Sequence, residues 1–243
     1  MAKQRIDTLL AQKALVDSRE KAKILVMAGA VYVEGQRVVR PDQHVDVNAH
    51  IEVRPGSLPY VSFGGTKLKH AFEAFGLSAK GKRALDVGSS TGGFVDYMLQ
   101  EGAARIYAVD VGTHQLHEKV RGDPRVVLLE GVNARYLTPG QVGEDVDIAT
   151  VDVSFISLKK ILPALVSILR QGAVLVTLVK PQFEVGRYQV GKGGIVKDQE
   201  RVRAVIEDIK CFGESLGLRP VRVIEAPREK ERKNHEYFIQ WEL

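Results

Sequence analysis

Leu85-Asp86-Val87-Gly88-Ser89-Ser90-Thr91-Gly92-Gly93-Phe94 decides how this chain folds. An apolar β-type run feeds directly into a glycine-rich loop, and a helical pattern follows from Phe94 to Gln100. That order seats a nucleotide-type cofactor at the carboxyl end of the first strand of a doubly wound sheet. The glycine spacing selects among cofactors. A dinucleotide loop reads G-x-G-x-x-G and a triphosphate loop reads G-x-x-x-x-G-K-[ST], and this stretch carries neither. Gly88, Gly92 and Gly93 let backbone approach a ligand closely without the usual phosphate grip. S-adenosylmethionine, an adenosine joined to an amino acid and free of phosphate, fits such a loop. Taken alone, the loop also reads as an ordinary glycine-rich turn between strand and helix.

Outward from this loop, strands and helices alternate, as in a parallel sheet with crossovers. The pattern predicts a helix over Lys67–Phe75 and strands at Ala84–Val87, Ile106–Asp110, Val126–Leu129, Ile148–Val153 and Ala173–Val179. Helices are expected over Ile161–Leu169 and Gln199–Leu216, the latter stopped by Gly217. Val221–Glu225 and Glu236–Trp241 close the chain as strands, the last alternating partially, as an antiparallel edge strand does. The fold class is therefore α/β, a Rossmann-like sheet over residues 61–243.

Residues 1–55 read as a separate small α+β module, and residues 56–60 as a linker after Arg54-Pro55. Helices are predicted over Arg5–Lys13 and, capped by Ser18, over Arg19–Ala28. Short strands follow at Ala30–Val33, Arg37–Val39 and His50–Val53, with Glu34-Gly35-Gln36 as a hairpin turn. Lys3, Arg5, Arg19, Lys21 and Lys23 could form a basic face for a phosphate backbone, although charge alone favours a solvated helix face.

The 243 residues suffice for a sizeable core. The net charge of +5 is compatible with a polyanionic partner. A single cysteine, Cys211, excludes an internal disulfide and a cysteine-based metal cluster and suits a reducing cytoplasm. No apolar run reaches the roughly 18 residues that span a membrane, and Met1-Ala2-Lys3-Gln4-Arg5 is not an export signal.

Several polar residues fall at strand ends. Asp110 closes the second strand, 22 residues past Gly88, where a carboxylate accepts hydrogen bonds from ribose hydroxyls. Asn133, after the third strand, either reaches an adenosine or makes a turn. Asp152 ends the fourth strand and Lys180 the fifth. Burial favours the neutral form of a lysine and makes it a candidate base, and a nearby Asp152 opposes that shift. Both residues also read as ordinary strand-end side chains, as do Lys67 and Glu236 at the surface. Gly186, Gly191, Gly193 and Gly194 mark either a mobile, RNA-contacting loop or a flexible connector. Arg228, Lys230, Arg232 and Lys233 are placed to take phosphates, although Glu229 and Glu231 interrupt them.

Together these positions carry a resemblance. Ala28-Gly29-Ala30-Val31-Tyr32-Val33-Glu34-Gly35, after two short helices, resembles the small RNA-binding domain named after ribosomal protein S4. Lys67, Asp152, Lys180 and Glu236 resemble the Lys-Asp-Lys-Glu tetrad of FtsJ-type RNA ribose 2′-O-methyltransferases. Asp152-Val153-Ser154-Phe155-Ile156-Ser157-Leu158 and Val179-Lys180-Pro181-Gln182-Phe183-Glu184-Val185-Gly186 are similar to two long signatures of the TlyA family, which joins the two domains. Asn133-Ala134-Arg135 is similar as well. Two departures touch the expected RNA side: Phe63 stands where the family usually has arginine, and Arg228–Lys233 where its loop is usually glycine-rich.

The resemblance implies methyl transfer from S-adenosylmethionine to a cytidine 2′-hydroxyl of ribosomal RNA, the large subunit first and the small subunit in some members. It implies Lys180 as base, Asp152 as its partner, and Lys67 and Glu236 as holders of the ribose. Gly88, Ser89, Ser90, Thr91, Gly92, Gly93, Phe94, Asp110, Asn133 and Asp152 are the expected cofactor residues. Ribosomal RNA or ribosomal subunits are the expected partners of a cytoplasmic monomer or weak dimer, with no membrane and no metal. TlyA-like proteins also often carry a hemolysin label, so a cytolysin is one alternative and a non-catalytic ribosome-binding or assembly factor another.

Overall fold

The computed structural model describes residues 3–16, 18–27, 29–54, 59–186, 190–191, 193–228 and 234–243. Its first part comprises β1 (Lys3–Arg5), α1 (Ile6–Gln12), α2 (Arg19–Met27), β2 (Val31–Val33), β3 (Gln36–Val38), β4 (His44–Asp46) and β5 (Ile51–Val53). Glu34 and Gly35, both at positive φ, make the tight turn between β2 and β3, the turn geometry whose twist suits a hairpin. β2 lies between β3 and β5, and β1 pairs antiparallel with β4. Ile6, Leu9, Leu10, Ala22, Val26, Val31, Val38 and Val45 close a core of their own. β1 and β4 escape sequence reading because three residues each show no period; only their mutual pairing defines them.

Beyond Pro59 the chain forms α3 (Phe63–Phe75), β6 (Arg83–Val87), α4 (Gly93–Gln100), β7 (Arg105–Asp110), α5 (Glu118–Arg121), β8 (Val126–Glu130), α6 (Pro139–Val142), β9 (Val146–Val151), α7 (Leu162–Val166), β10 (Leu169–Val179), α8 (Pro181–Glu184), α9 (Gln199–Ser215), β11 (Arg219–Glu225) and β12 (Tyr237–Glu242). Seven strands make one sheet in the order β11-β12-β10-β9-β6-β7-β8. β6 to β10 are parallel, and β12 runs against both of its neighbours.

The pleat divides the core in two. Leu85, Val87, Tyr107, Val109, Leu175 and Val179 pack with Leu162, Leu165, Val205 and Ile209. Ala84, Ile106, Ala108, Val176 and Leu178 pack on the other face with Leu68, Phe72, Phe94 and Met98. Both faces are covered, which is why these strands read as nearly continuous apolar runs. α9 shows why a helix forms where it does. Asp198 caps its start by accepting from the amides of Glu200 and Arg201, and Val202, Val205 and Ile209 recur on one buried stripe.

Three sequence expectations are corrected. Helix α7 spans only five residues, and Leu169 already belongs to β10; the apolar run 161–169 is short enough to fit either class. β12 is not an edge strand, because β11 covers it; Phe238, Ile239 and Trp241 are fully buried. Helix α3 starts at Phe63 rather than Lys67, so Lys67 lies in its second turn and does not open it.

Candidate active site

Strand order reverses on either side of β6, with β7 and β8 to one hand and β9 and β10 to the other. A crevice therefore opens outside the carboxyl ends of β6 and β9, and the glycine loop lies along it. At Gly88 φ is +87°, and a Cβ there would come within 2.4 Å of Asp152 O. Glycine is required because backbone passes against backbone. Gly92, at φ +90°, caps α4.

Two recesses flank this loop. One, of about 510 Å³, is lined by Gly88, Ser90, Asp110, Asn133, Asp152 and Phe155 among others. The other, of about 190 Å³, is lined by Lys67, Asp86, Ser89, Thr91, Gly93 and Phe94, and shares Gly88, Ser90 and Asp152 with the first. Asp110 braces the loop: its Oδ2 accepts from Ser90 N and its Oδ1 from Gly112 N, both at 2.8 Å. Asn133 Oδ1 accepts from Arg135 N and Nε at 3.2 Å, so this side chain caps the 3₁₀ turn Ala134–Tyr136 while lining the larger recess.

The four tetrad positions come together as two ion pairs. Lys180 Nζ lies 2.6 Å from Asp152 Oδ1, with only 12% and 23% of the side chains exposed. Lys180 Nζ also donates to Ser154 Oγ at 2.9 Å. Asp152 stands one residue past β9, and Lys180 one residue past β10. Lys67 Nζ donates to Glu236 Oε2 at 2.5 Å, joining α3 to the residue just before β12 across 169 positions of sequence.

Two residues of the crevice carry no role in the sequence reading. Asp86 is buried and points toward the second recess. Thr150 Oγ1 donates to its Oδ1 at 2.7 Å, whereas its Oδ2 has no protein partner. Burial pushes its carboxyl up to about 7, against the hydrogen bonds from Thr150 and Ser89. Its signal was a carboxylate inside an apolar strand, in the stretch that decides the fold. Phe155 is 90% exposed at φ +65°, a conformation that bulky side chains rarely adopt. Its ring centroid lies 4.9 Å from that of Phe183.

The expected basic face is divided. Arg5 and Arg19 both pair with the fully buried Asp7, at 2.9 and 3.1 Å, so each has a structural partner as well as an exposed edge. Lys3 is exposed and Lys23 half-buried; the side chain of Lys21 lies outside the described residues, as do Lys230, Arg232 and Lys233. Arg228 Nε lies 3.7 Å from Glu225. Among the described residues no helix is long and apolar enough to cross a membrane, and no group of three acidic, histidine or cysteine side chains gathers as a metal site.

This sheet order and loop define a Rossmann-like methyltransferase fold. Residues 60–243 match the FtsJ-like methyltransferase family, and residues 4–51 match the S4 domain. The chain is 45% identical over 237 residues to the 16S/23S rRNA (cytidine-2′-O)-methyltransferase TlyA of Mycobacterium tuberculosis, covering 97% of this chain and 88% of that protein. It is 38% identical over 243 residues to Hemolysin A of Brachyspira hyodysenteriae, covering 98% and 99%. A solved structure described as a candidate hemolysin from Streptococcus thermophilus superposes with a TM-score of 0.77 at 42% identity, covering 100% of this chain and 89% of that one. The chain belongs to the TlyA family of FtsJ-like methyltransferases.

Proposed function

We propose that this protein methylates the 2′-hydroxyl of cytidine in ribosomal RNA, with large-subunit RNA the favoured substrate and small-subunit RNA the second to assay. The observation that carries the reading is the meeting of the Lys180–Asp152 and Lys67–Glu236 pairs beside the glycine loop.

S-adenosylmethionine, when bound, supplies an electrophilic methyl group. The residues present suit it. Gly88 lets the loop pack directly on the backbone of Asp152, Asp110 and Asn133 border the recess wide enough for an adenosine, and the unpartnered Oδ2 of Asp86 suits a cationic group. Lys180, once its ammonium has released a proton to solvent, accepts the proton of the ribose hydroxyl as a neutral amine, and Asp152 orients that amine and stabilises the ammonium that re-forms. Lys67 donates to a ribose oxygen while Glu236 accepts from a hydroxyl. Holding the hydroxyl in line accounts for much of the rate, since oriented groups reach effective molarities of about 10⁵–10⁸ M. Phe155 offers an aromatic face at the mouth of the crevice, where an unstacked base can rest. Residues 1–55 act as the RNA-binding module, joined through residues 56–60 to the catalytic residues 61–243, and the working form is a cytoplasmic monomer or weak dimer.

Lys180→Ala tests the assignment. Methyl transfer to ribosomal RNA is expected to fall about 10²–10⁴-fold, the usual contribution of a general base, with cofactor affinity retained. Unchanged turnover would remove Lys180 from the chemistry.

A further inference from the structure

Two groups lie against Lys180 Nζ among the described residues, and only one of them gives it a direction. Asp152 Oδ1 lies 2.6 Å away, yet this oxygen is buried and accepts no aligned hydrogen bond. The contact is therefore one of charge, which sets where the amine sits and tolerates its rotation about Cε–Nζ. Ser154 Oγ accepts the directed bond from Nζ at 2.9 Å, and a hydrogen bond weakens steeply as it bends. Strand pairing does not supply this direction. Val151 of β9 lies opposite Thr177 of β10, which fixes the backbone leading to Lys180 but not the turning of an amine at the end of a flexible stem.

The local sequence brings both groups to Nζ at once. Asp152 and Ser154 stand two apart on the chain leaving β9, the spacing at which extended backbone turns side chains the same way. Val153, between them, packs against the core. Ser154 is exposed, so solvent takes its own hydrogen and its oxygen is left to accept. A neutral lysine amine holds two hydrogens and one lone pair. With one hydrogen on Ser154, two settings remain, and the carboxylate of Asp152 decides between them. It attracts the second hydrogen and repels the lone pair, which is left in the third position.

We propose that Ser154 is a positioning residue for the transfer reaction: by accepting from Lys180 Nζ it sets the rotation of the amine, so that the lone pair meets the ribose 2′-hydroxyl. The proposal rests on the methyl-transfer reading above. Without the Ser154 oxygen the amine turns between settings, and in some of them a hydrogen faces the hydroxyl that has to give up its proton. Ser154 acts through Lys180, so its loss lowers kcat and costs nothing where Lys180 is itself absent. Ser154 also lines the larger recess. A role in holding the cofactor is the rival reading, and it would show in cofactor affinity instead of turnover.

The test compares the full-length wild type with Ser154→Ala, Ser154→Thr, Lys180→Ala and the double variant that carries both alanines. It measures kcat and KM for ribosomal RNA at saturating S-adenosylmethionine, and calorimetric affinity for S-adenosylmethionine. Ser154→Ala is expected to lose about tenfold in kcat, the effect of one directed hydrogen bond, with KM and cofactor affinity within about threefold of wild type. Ser154→Thr keeps the hydroxyl and is expected to retain kcat within about threefold of wild type. In the Lys180→Ala background, Ser154→Ala is expected to change kcat by no more than about twofold, because residues that act as one unit are not additive. The proposal is overturned if Ser154→Ala keeps kcat within about twofold of wild type, if Ser154→Thr is as impaired as Ser154→Ala, or if the two losses multiply in the double variant. It is equally overturned if cofactor affinity falls while kcat at saturation holds, the mark of a cofactor contact. A wild type that moves no methyl to RNA overturns the proposal together with the reading beneath it, an outcome told apart because all five proteins are then equally silent.

Discussion

Asp86 concentrates the conflict between folding and function at a single residue. Its carboxyl is buried and raised to about 7, so the folded chain holds a proton that the unfolded chain releases near the ordinary carboxylate pKa. Stability from this group is full below that value and is lost as pH rises toward 7. Asp86→Asn is expected to flatten the fall in melting temperature between about pH 4 and 7, a difference on the order of a few kcal/mol, and to weaken cofactor binding. The same slope in the variant as in wild type would contradict the assignment. Phe155 carries the opposite kind of signal, an apolar ring left in solvent on strained backbone. Phe155→Ala is expected to raise KM for RNA about tenfold or more, since stacking on one aromatic is worth about 1–3 kcal/mol, with cofactor affinity and melting temperature unchanged. Both residues lie inside motifs that the sequence makes conspicuous, Leu85–Phe94 and Asp152–Leu158. Burial comes from neighbours distant in sequence, such as Thr150 beside Asp86, and the positive φ of Phe155 leaves no mark in the sequence.

Elements were legible where their period was long or their run unambiguous. The apolar runs of β6, β7, β9 and β10 and the stripe on α9 follow from spacing alone. Legibility failed where pairing decides. β1 and β4 exist through each other, and β12 is central because β11 arrives beside it. The start of α3 was missed because Gly64 and Gly65 argue against helix. Their reason is packing. α3 and α4 cross so closely that a Cβ on Gly93 would lie 2.2 Å from Ser62 Oγ and 2.8 Å from Gly65 N. Asp96 of α4 reinforces the crossing by accepting from Val61 N at 2.8 Å. Gly93→Ala is therefore expected to push α3 outward, carrying Lys67 with it. The predicted outcome is a destabilisation of about 1–3 kcal/mol, typical of overpacking, together with reduced turnover. Thermal melts and methyl-transfer assays read the two effects separately, and a variant as stable and active as wild type would show that the crossing yields without consequence.

At the scale of the whole molecule, the proposed function puts the methyl donor beside one loop and its flanking strands, and the RNA against Lys67 of α3, the ends of β9, β10 and β12, and residues 3–53. That distribution explains the uneven legibility. A loop of ten consecutive residues announces itself, but four side chains spread over 170 positions were grouped only through family resemblance. The RNA-facing charge is subtler still. Arg5 and Arg19 serve Asp7, whose carboxyl they hold well below the usual range, so replacing them would weaken the module as well as its surface. Its stability contribution is present above the ordinary carboxylate pKa and is lost as pH falls below it. Lys3 and Lys23 make the cleaner probe. Their joint replacement by alanine is expected to weaken RNA binding and to reduce the slope of log affinity against log salt by about 2, with the cofactor site untouched. An unchanged slope would move the RNA footprint elsewhere. The atom that receives the methyl group distinguishes this reaction from every other RNA methylation. Ribosomal RNA incubated with the protein and methyl-labelled S-adenosylmethionine, then hydrolysed in alkali, reports it directly, because a methylated 2′-oxygen cannot cleave its own phosphodiester. Label is expected in alkali-resistant dinucleotides that begin with cytidine; label in mononucleotides, or none in RNA at all, would rule out 2′-O-methylation of cytidine.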